Sequence, residues 1–64
     1  MPHIKVEGPK IDLDRKRKLT TGITDVACEI YGISKEHIVV VIEEVNPENV
    51  AVGGKLIADR RSHD

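Results

Sequence analysis

Residues 38–45 read Ile38-Val39-Val40-Val41-Ile42-Glu43-Glu44-Val45, with five successive apolar positions before the first charge. An unbroken apolar run of that length, rich in β-branched side chains, predicts a strand covered on both faces, as in a parallel sheet. Upstream, His3-Ile4-Lys5-Val6-Glu7 alternates strictly, which predicts a half-buried strand ended by Gly8-Pro9. Between them the period changes. Leu19, Ile23, Val26, Ala27 and Ile30 recur at helical spacing, with Asp12 as N-cap and Gly32 as the C-terminal stop, so a helix is expected over Leu13 to Tyr31. Gly22 within it should cost about 1 kcal/mol relative to Ala, which contacts elsewhere must offset. Two strands joined by one such helix make a right-handed βαβ unit with parallel pairing.

The rest of the chain is short. Ser34-Lys35-Glu36-His37 predicts one capped turn, Asn46-Pro47-Glu48-Asn49 a second turn, and Val50 to Ile57 a small hairpin about Gly53-Gly54, a pair that accepts positive φ. The fold class expected is α/β (α+β): one βαβ unit plus a short C-terminal β-hairpin. Residues 1–58 form the domain, and 59–64 are expected to be a polar, mobile tail.

A single helix covers a single sheet face, so Val39 and Val41 call for a second subunit. Size argues the same way. At 7.1 kDa a globular chain exposes about 4,100 Å² of the about 10,300 Å² available when open. Burial at about 25 cal/mol per Å² of apolar surface then supplies roughly 90 kcal/mol, against roughly 95 kcal/mol for ordering the chain. With 64 residues, one Cys, and no Phe or Trp, a disulfide framework and a large private core are excluded. The fold is expected to be completed by oligomerisation.

Ten Lys/Arg against eleven Asp/Glu, a net charge of −1, give no global field drawing the chain to nucleic acid or an anionic bilayer. No apolar run approaches the roughly 20 residues of a membrane span, and the N-terminus lacks the pattern of a signal peptide. A cytoplasmic protein is expected. Arg15-Lys16-Arg17-Lys18 could attract polyanions, but consecutive helical residues point apart, and Asp12 with Lys16 and Asp14 with Lys18 have favourable i,i+4 spacing. No aromatic residue is interleaved for base stacking, so a solvated charged face is the better reading. His3, His37, His63 and Cys28 show no metal-ligand spacing, and Gly53-Gly54-Lys55 lacks the other residues of a phosphate loop.

Pro2 is the most informative residue for chemistry. A small second residue favours removal of Met1, which leaves a secondary amine as the N-terminus. A free α-amino group has a pKa of about 7.7 to 8.0, and apolar enclosure or nearby cations lower it. A neutral amine held in place can move protons at pH 7. On this residue alone the bland alternative, a proline that merely starts a strand, is the better reading; the rest of the chain raises the other.

Pro2 opening a short alternating strand, the Glu7-Gly8 step, a βαβ unit in about sixty residues, and Val52-Gly53-Gly54 after an apolar strand together resemble the 4-oxalocrotonate tautomerase family over nearly the whole chain. The resemblance implies a hexamer built as a trimer of dimers, no cofactor, and an amino-terminal proline acting as general base or acid on unsaturated 2-hydroxy or 2-oxo acids. It makes Pro2 the proton carrier. The family arginine that grips a substrate carboxylate after the Glu-Gly step has Lys10 as its nearest counterpart, with Arg15 next. A second family arginine falls at Val39, and an aromatic wall of the pocket falls at Val50. Lys55, Arg60 or Arg61 of another chain could supply a cation. The function expected is therefore that of an isomerase, a tautomerase acting on a small unsaturated keto or enol acid. The alternatives are a non-catalytic oligomer that has lost the clamp at Val39 and a polyanion-binding module.

Overall fold

A computed structural model describes the backbone of residues 1–61 and the side chains of residues 1–60. Strand β1 (His3–Gly8) leads into helix α1 (Leu13–Tyr31), a 3-10 turn (Lys35–His37), strand β2 (Val39–Glu44), a second 3-10 turn (Pro47–Asn49), the short strands β3 (Ala51–Val52) and β4 (Lys55–Leu56), and helix α2 (Ile57–Arg61). β1 and β2 pair in parallel, in register from His3 opposite Val39 to Gly8 opposite Glu44. The ladder runs one step further at each end, where Val39 N–H donates to the Pro2 carbonyl at 3.1 Å and Val45 N–H to the Gly8 carbonyl at 2.7 Å. β3 and β4 pair antiparallel in a separate two-stranded sheet.

Helix α1 begins and ends where its caps require. The Asp12 carboxylate accepts the Arg15 backbone N–H at 2.8 Å, satisfying one of the N–H groups that the first turn leaves open. Gly32, at φ 68°, donates its N–H to the Cys28 carbonyl at 2.9 Å, the left-handed stop that glycine adopts without steric cost. Gly53 and Gly54, at φ 62° and 81°, make the two-residue hairpin turn with both central residues left-handed.

The expected fold class stands, with local corrections. Expected i,i+4 pairs along the helix start do not form: Arg17 pairs with Asp14 at 2.7 Å, and Lys16 reaches across to Glu44 on β2 at 2.8 Å. Ser34 does not cap a backbone N–H; its hydroxyl donates to the Glu36 carboxylate. Ile57, read as the end of the hairpin, opens α2 instead, so residues 59–61 of the expected polar tail are helical. The remainder of that tail, with His63, lies outside the described residues.

One sheet face meets α1 through Ile4, Val6, Val40 and Ile42, all half-buried, while His3, Lys5, Glu7, Val41 and Glu43 stand exposed on the other. There Lys5 and Glu43 pair at 2.7 Å. Within one chain the 38–42 run is covered on one face only, as expected where a single helix shields one side of the sheet, and Val41 is left 49% exposed on the other. Among the described residues only Ala27 is buried. The chain exposes 5178 Å², against about 4,100 Å² for a globule of its mass. Its radius of gyration is 15.0 Å, where about 10.7 Å is expected of a compact domain of this length.

Candidate active site

Pro2 sits at the open end of the parallel pair. Its ring is half-buried while Met1 before it is 80% exposed, and its carbonyl is fixed by the Val39 N–H. The register places Pro2 one step before the His3–Val39 pair, beside the half-buried Ile38 and Val39. A backbone nitrogen at this position is held by the sheet on its own carbonyl side, so its direction is set by β1 and not by a flexible leader. Val39, the position at which the resemblance places a family arginine, is apolar and half-buried.

The candidate cations gather at the other end. Lys10 and Arg15 line a hollow of about 1000 Å³ with Val50, Ile57, Glu7 and Glu44. Lys10 follows the end of β1, Arg15 lies in the first turn of α1, and Val50 and Ile57 are joined by the Ile57 N–H donating to the Val50 carbonyl at 2.8 Å. β1 runs between Pro2 and Lys10, and six residues of strand span about 17 to 20 Å. Pro2 and Lys10 of one chain therefore cannot touch the same small molecule.

Charge in the hollow is partly spoken for. Lys16 donates to Glu44, and this holds the Glu44 carboxyl below its ordinary range against the opposing effect of desolvation, with the nearby Lys10 ammonium acting in the same direction as Lys16. Arg15 stands 4.0 Å from the Asp12 carboxylate. Lys10 makes no ion pair among the described residues, which leaves it the cation in this hollow best placed to meet an anion.

The other sequence candidates lie on the hairpin. Lys55 is exposed on β4 opposite Val52. Arg60 donates from Nη2 to the Val52 carbonyl at 3.3 Å, tying α2 to the hairpin. So the structure brings Lys10, Arg15 and Val50 together, pairs Pro2 with Val39, and keeps Lys55 and Arg60 apart from both groups. The sequence reading missed Lys16 and Glu44 as a cross-element pair at the edge of the hollow. The signal lay in the parallel register, which brings the end of β2 level with the start of α1. Ion pairs also take up Arg15, Lys16 and Arg17, three members of the basic run. Among the described residues no group of three or more His, Cys, Asp or Glu could hold a metal ion, and no helix is long and apolar enough to cross a membrane.

Known proteins share this fold. A family model described as tautomerase enzyme matches residues 2–60. The 2-hydroxymuconate tautomerase of Bacillus subtilis is 38% identical over 60 residues, covering 92% of this chain and 97% of that relative. The crystal structure of DmpI from Archaeoglobus fulgidus aligns with a TM-score of 0.86 at 50% identity, over 91% of this chain and 100% of the other. TomN, a 4-oxalocrotonate tautomerase homologue of the tomaymycin biosynthetic pathway, aligns with a TM-score of 0.89 at 32% identity over 95% of each chain. With a βαβ unit, a double-glycine hairpin and a match that starts at Pro2, this chain belongs to the tautomerase family.

Proposed function

We propose that the protein is a cofactor-independent tautomerase whose Pro2 nitrogen, freed by removal of Met1, shuttles a proton on an unsaturated 2-hydroxy or 2-oxo acid. The neutral amine takes the enol O–H proton, the oxygen electron pair forms the ketone C=O, and the shifted double bond receives the proton from the resulting ammonium at carbon. No electrons leave the substrate and no second reactant is consumed. The observation that carries the reading is the family match over residues 2–60, joined to the position of Pro2 at a fixed, half-buried strand start beside Ile38 and Val39. Apolar surroundings penalise the protonated amine and keep it a base near neutral pH.

Lys10 binds the substrate carboxylate and stabilises the enolate charge that grows during transfer, with Arg15 as the second candidate and Lys55 and Arg60 below both. Since β1 separates Pro2 from Lys10 in one chain, Lys10 comes to Pro2 from another copy, within a hexamer arranged as a trimer of dimers. Val39 and Val50 act as apolar walls. An ammonium in place of a guanidinium fork, and valine beside the amine, favour a substrate with one carboxylate and an apolar far end over a dicarboxylate. The processed chain does this in the cytoplasm.

The test compares protein with Met1 removed and protein with Met1 retained, each confirmed by intact mass. Retention turns the Pro2 nitrogen into an amide with no basicity. Turnover of unsaturated 2-hydroxy acids by the processed form alone is expected. No rate above buffer from the processed form at any pH overturns the proposal in favour of a non-catalytic oligomer.

A further inference from the structure

Removal of Met1, on which the proposed function also rests, does more than free an amine. It makes Pro2-His3 the start of the chain. These two residues then carry three nitrogen donors in succession: the Pro2 amine, the His3 backbone nitrogen and the His3 imidazole. A metal ion held by all three closes a five-membered ring through the Pro2 carbonyl carbon and a six-membered ring through the His3 Cβ. Side-chain spacing alone hides such a site, since two of its donors are main-chain atoms.

Strand β1 leaves these donors open. Val39 N–H donates to the Pro2 carbonyl at 3.1 Å, and Val39 is the register partner of His3. In a parallel ladder His3 then turns its own N–H to the far edge of β1. β1 pairs only with β2 among the described residues, so nothing in the chain pairs with that edge, and the His3 residue is exposed. In extended backbone the Pro2 and His3 nitrogens point to opposite edges. Bringing them together takes one rotation, of the Pro2 ring about its Cα–C bond. The peptide plane joining Pro2 to His3 keeps its place and its hydrogen bond to Val39, and with Met1 gone no residue precedes the ring to resist the turn. Retained Met1 forbids the arrangement, because the Pro2 nitrogen is then an amide without a proton to lose.

We propose that the processed amino terminus is a copper(II) site, held by the Pro2 amine, the deprotonated His3 backbone nitrogen and His3 Nδ1, with water at the fourth corner. Three nitrogens in one plane suit Cu(II), the strongest binder among the divalent first-row ions and one that favours square-planar coordination. The His3 N–H proton passes to solvent. The ion occupies the amine lone pair that would otherwise carry the substrate proton, so copper switches the tautomerase off and is not its cofactor.

The test uses protein with Met1 removed, confirmed by intact mass, in a Cys28→Ser background that takes the thiol out of competition. With an equimolar amount of Cu(II), electron paramagnetic resonance should show an axial signal split by three nitrogens, absent from protein that retains Met1. Outer-shell partners alone are worth about 10- to 100-fold in metal affinity, so His3→Ala, which deletes a ligand, should weaken binding about a hundredfold or more in competition with a chelator. His37→Ala, which removes an exposed imidazole outside the chelate, should leave it within about twofold. Equal binding by the two forms, or an equal loss in His3→Ala and His37→Ala, marks an adventitious ion only and overturns the proposal. Turnover by the processed form with no copper at Pro2 overturns this inference and leaves the proposed function standing; copper at Pro2 with no turnover does the reverse.

Discussion

Diluting the protein should lower its melting temperature. The isolated chain exposes 5178 Å², about 1,100 Å² more than a self-contained globule of its mass, and a surplus of that order matches or exceeds the about 800 Å² each partner gives to a standard interface. Folding and association are then one transition. A hundredfold rise in concentration supplies about 2.7 kcal/mol per association step, or about 1.4 kcal/mol per chain in a dimer and about 2.3 in a hexamer. With about 2.1 cal/mol/K per residue over 64 residues, Tm should rise by about 10 °C for a dimer and about 17 °C for a hexamer. Thermal unfolding followed by circular dichroism at about 1 and about 100 μM reads this directly. A Tm that stays the same at both concentrations, with a cooperative transition, would show that the single chain is stable alone and refute the reasoning.

Other consequences are local. Asp12→Ala removes the side-chain acceptor of the Arg15 N–H and should cost about 1 kcal/mol in denaturant unfolding. The depressed Glu44 carboxyl contributes stability that is present above its unfolded value near 4.5 and lost as pH falls through the lower folded value. Acid titration should therefore show Glu44→Gln less sensitive than the parent below about pH 4.5, with the difference shrinking in 1 M salt, about the concentration at which screening reaches 3 Å. Lys5 has the opposite sign: Glu43 raises it, so that contribution is full below 10.5 and fades as pH rises beyond the folded value. Lys10→Gln should raise KM about tenfold or more for a substrate bearing a carboxylate, the loss of a charge-assisted hydrogen bond, and should leave KM for an uncharged enol unchanged.

What the sequence made legible is what local chemistry dictates. Asp12 and Gly32 bound α1 because a carboxylate satisfies first-turn N–H groups and glycine accepts a left-handed stop, and both requirements act within a few residues. The apolar 38–42 run and the Gly53-Gly54 turn are legible for the same reason. Contacts between elements were not. Lys16 could pair with Asp12 on its own helix or with Glu44 on β2, and only the register of β1 on β2 decides it. Ala58-Asp59-Arg60 carries no helical period in so short a span, so α2 read as tail. For the candidate site, Pro2 and Lys10 were picked out as residues, yet their separation followed from the length of β1, which a count along the strand would have shown. The uncovered face around Val41 belongs to a surface that one chain does not complete.

The central claim is that Pro2, once Met1 is gone, presents an amine that is neutral in ordinary buffer. Nitrogen-15 NMR titration of Pro2 in the assembled, processed protein measures this with no substrate present. The account predicts a pKa below the about 7.7 to 8.0 of a free α-amino group, tracking the pH at which turnover appears. A value within or above that range would contradict it.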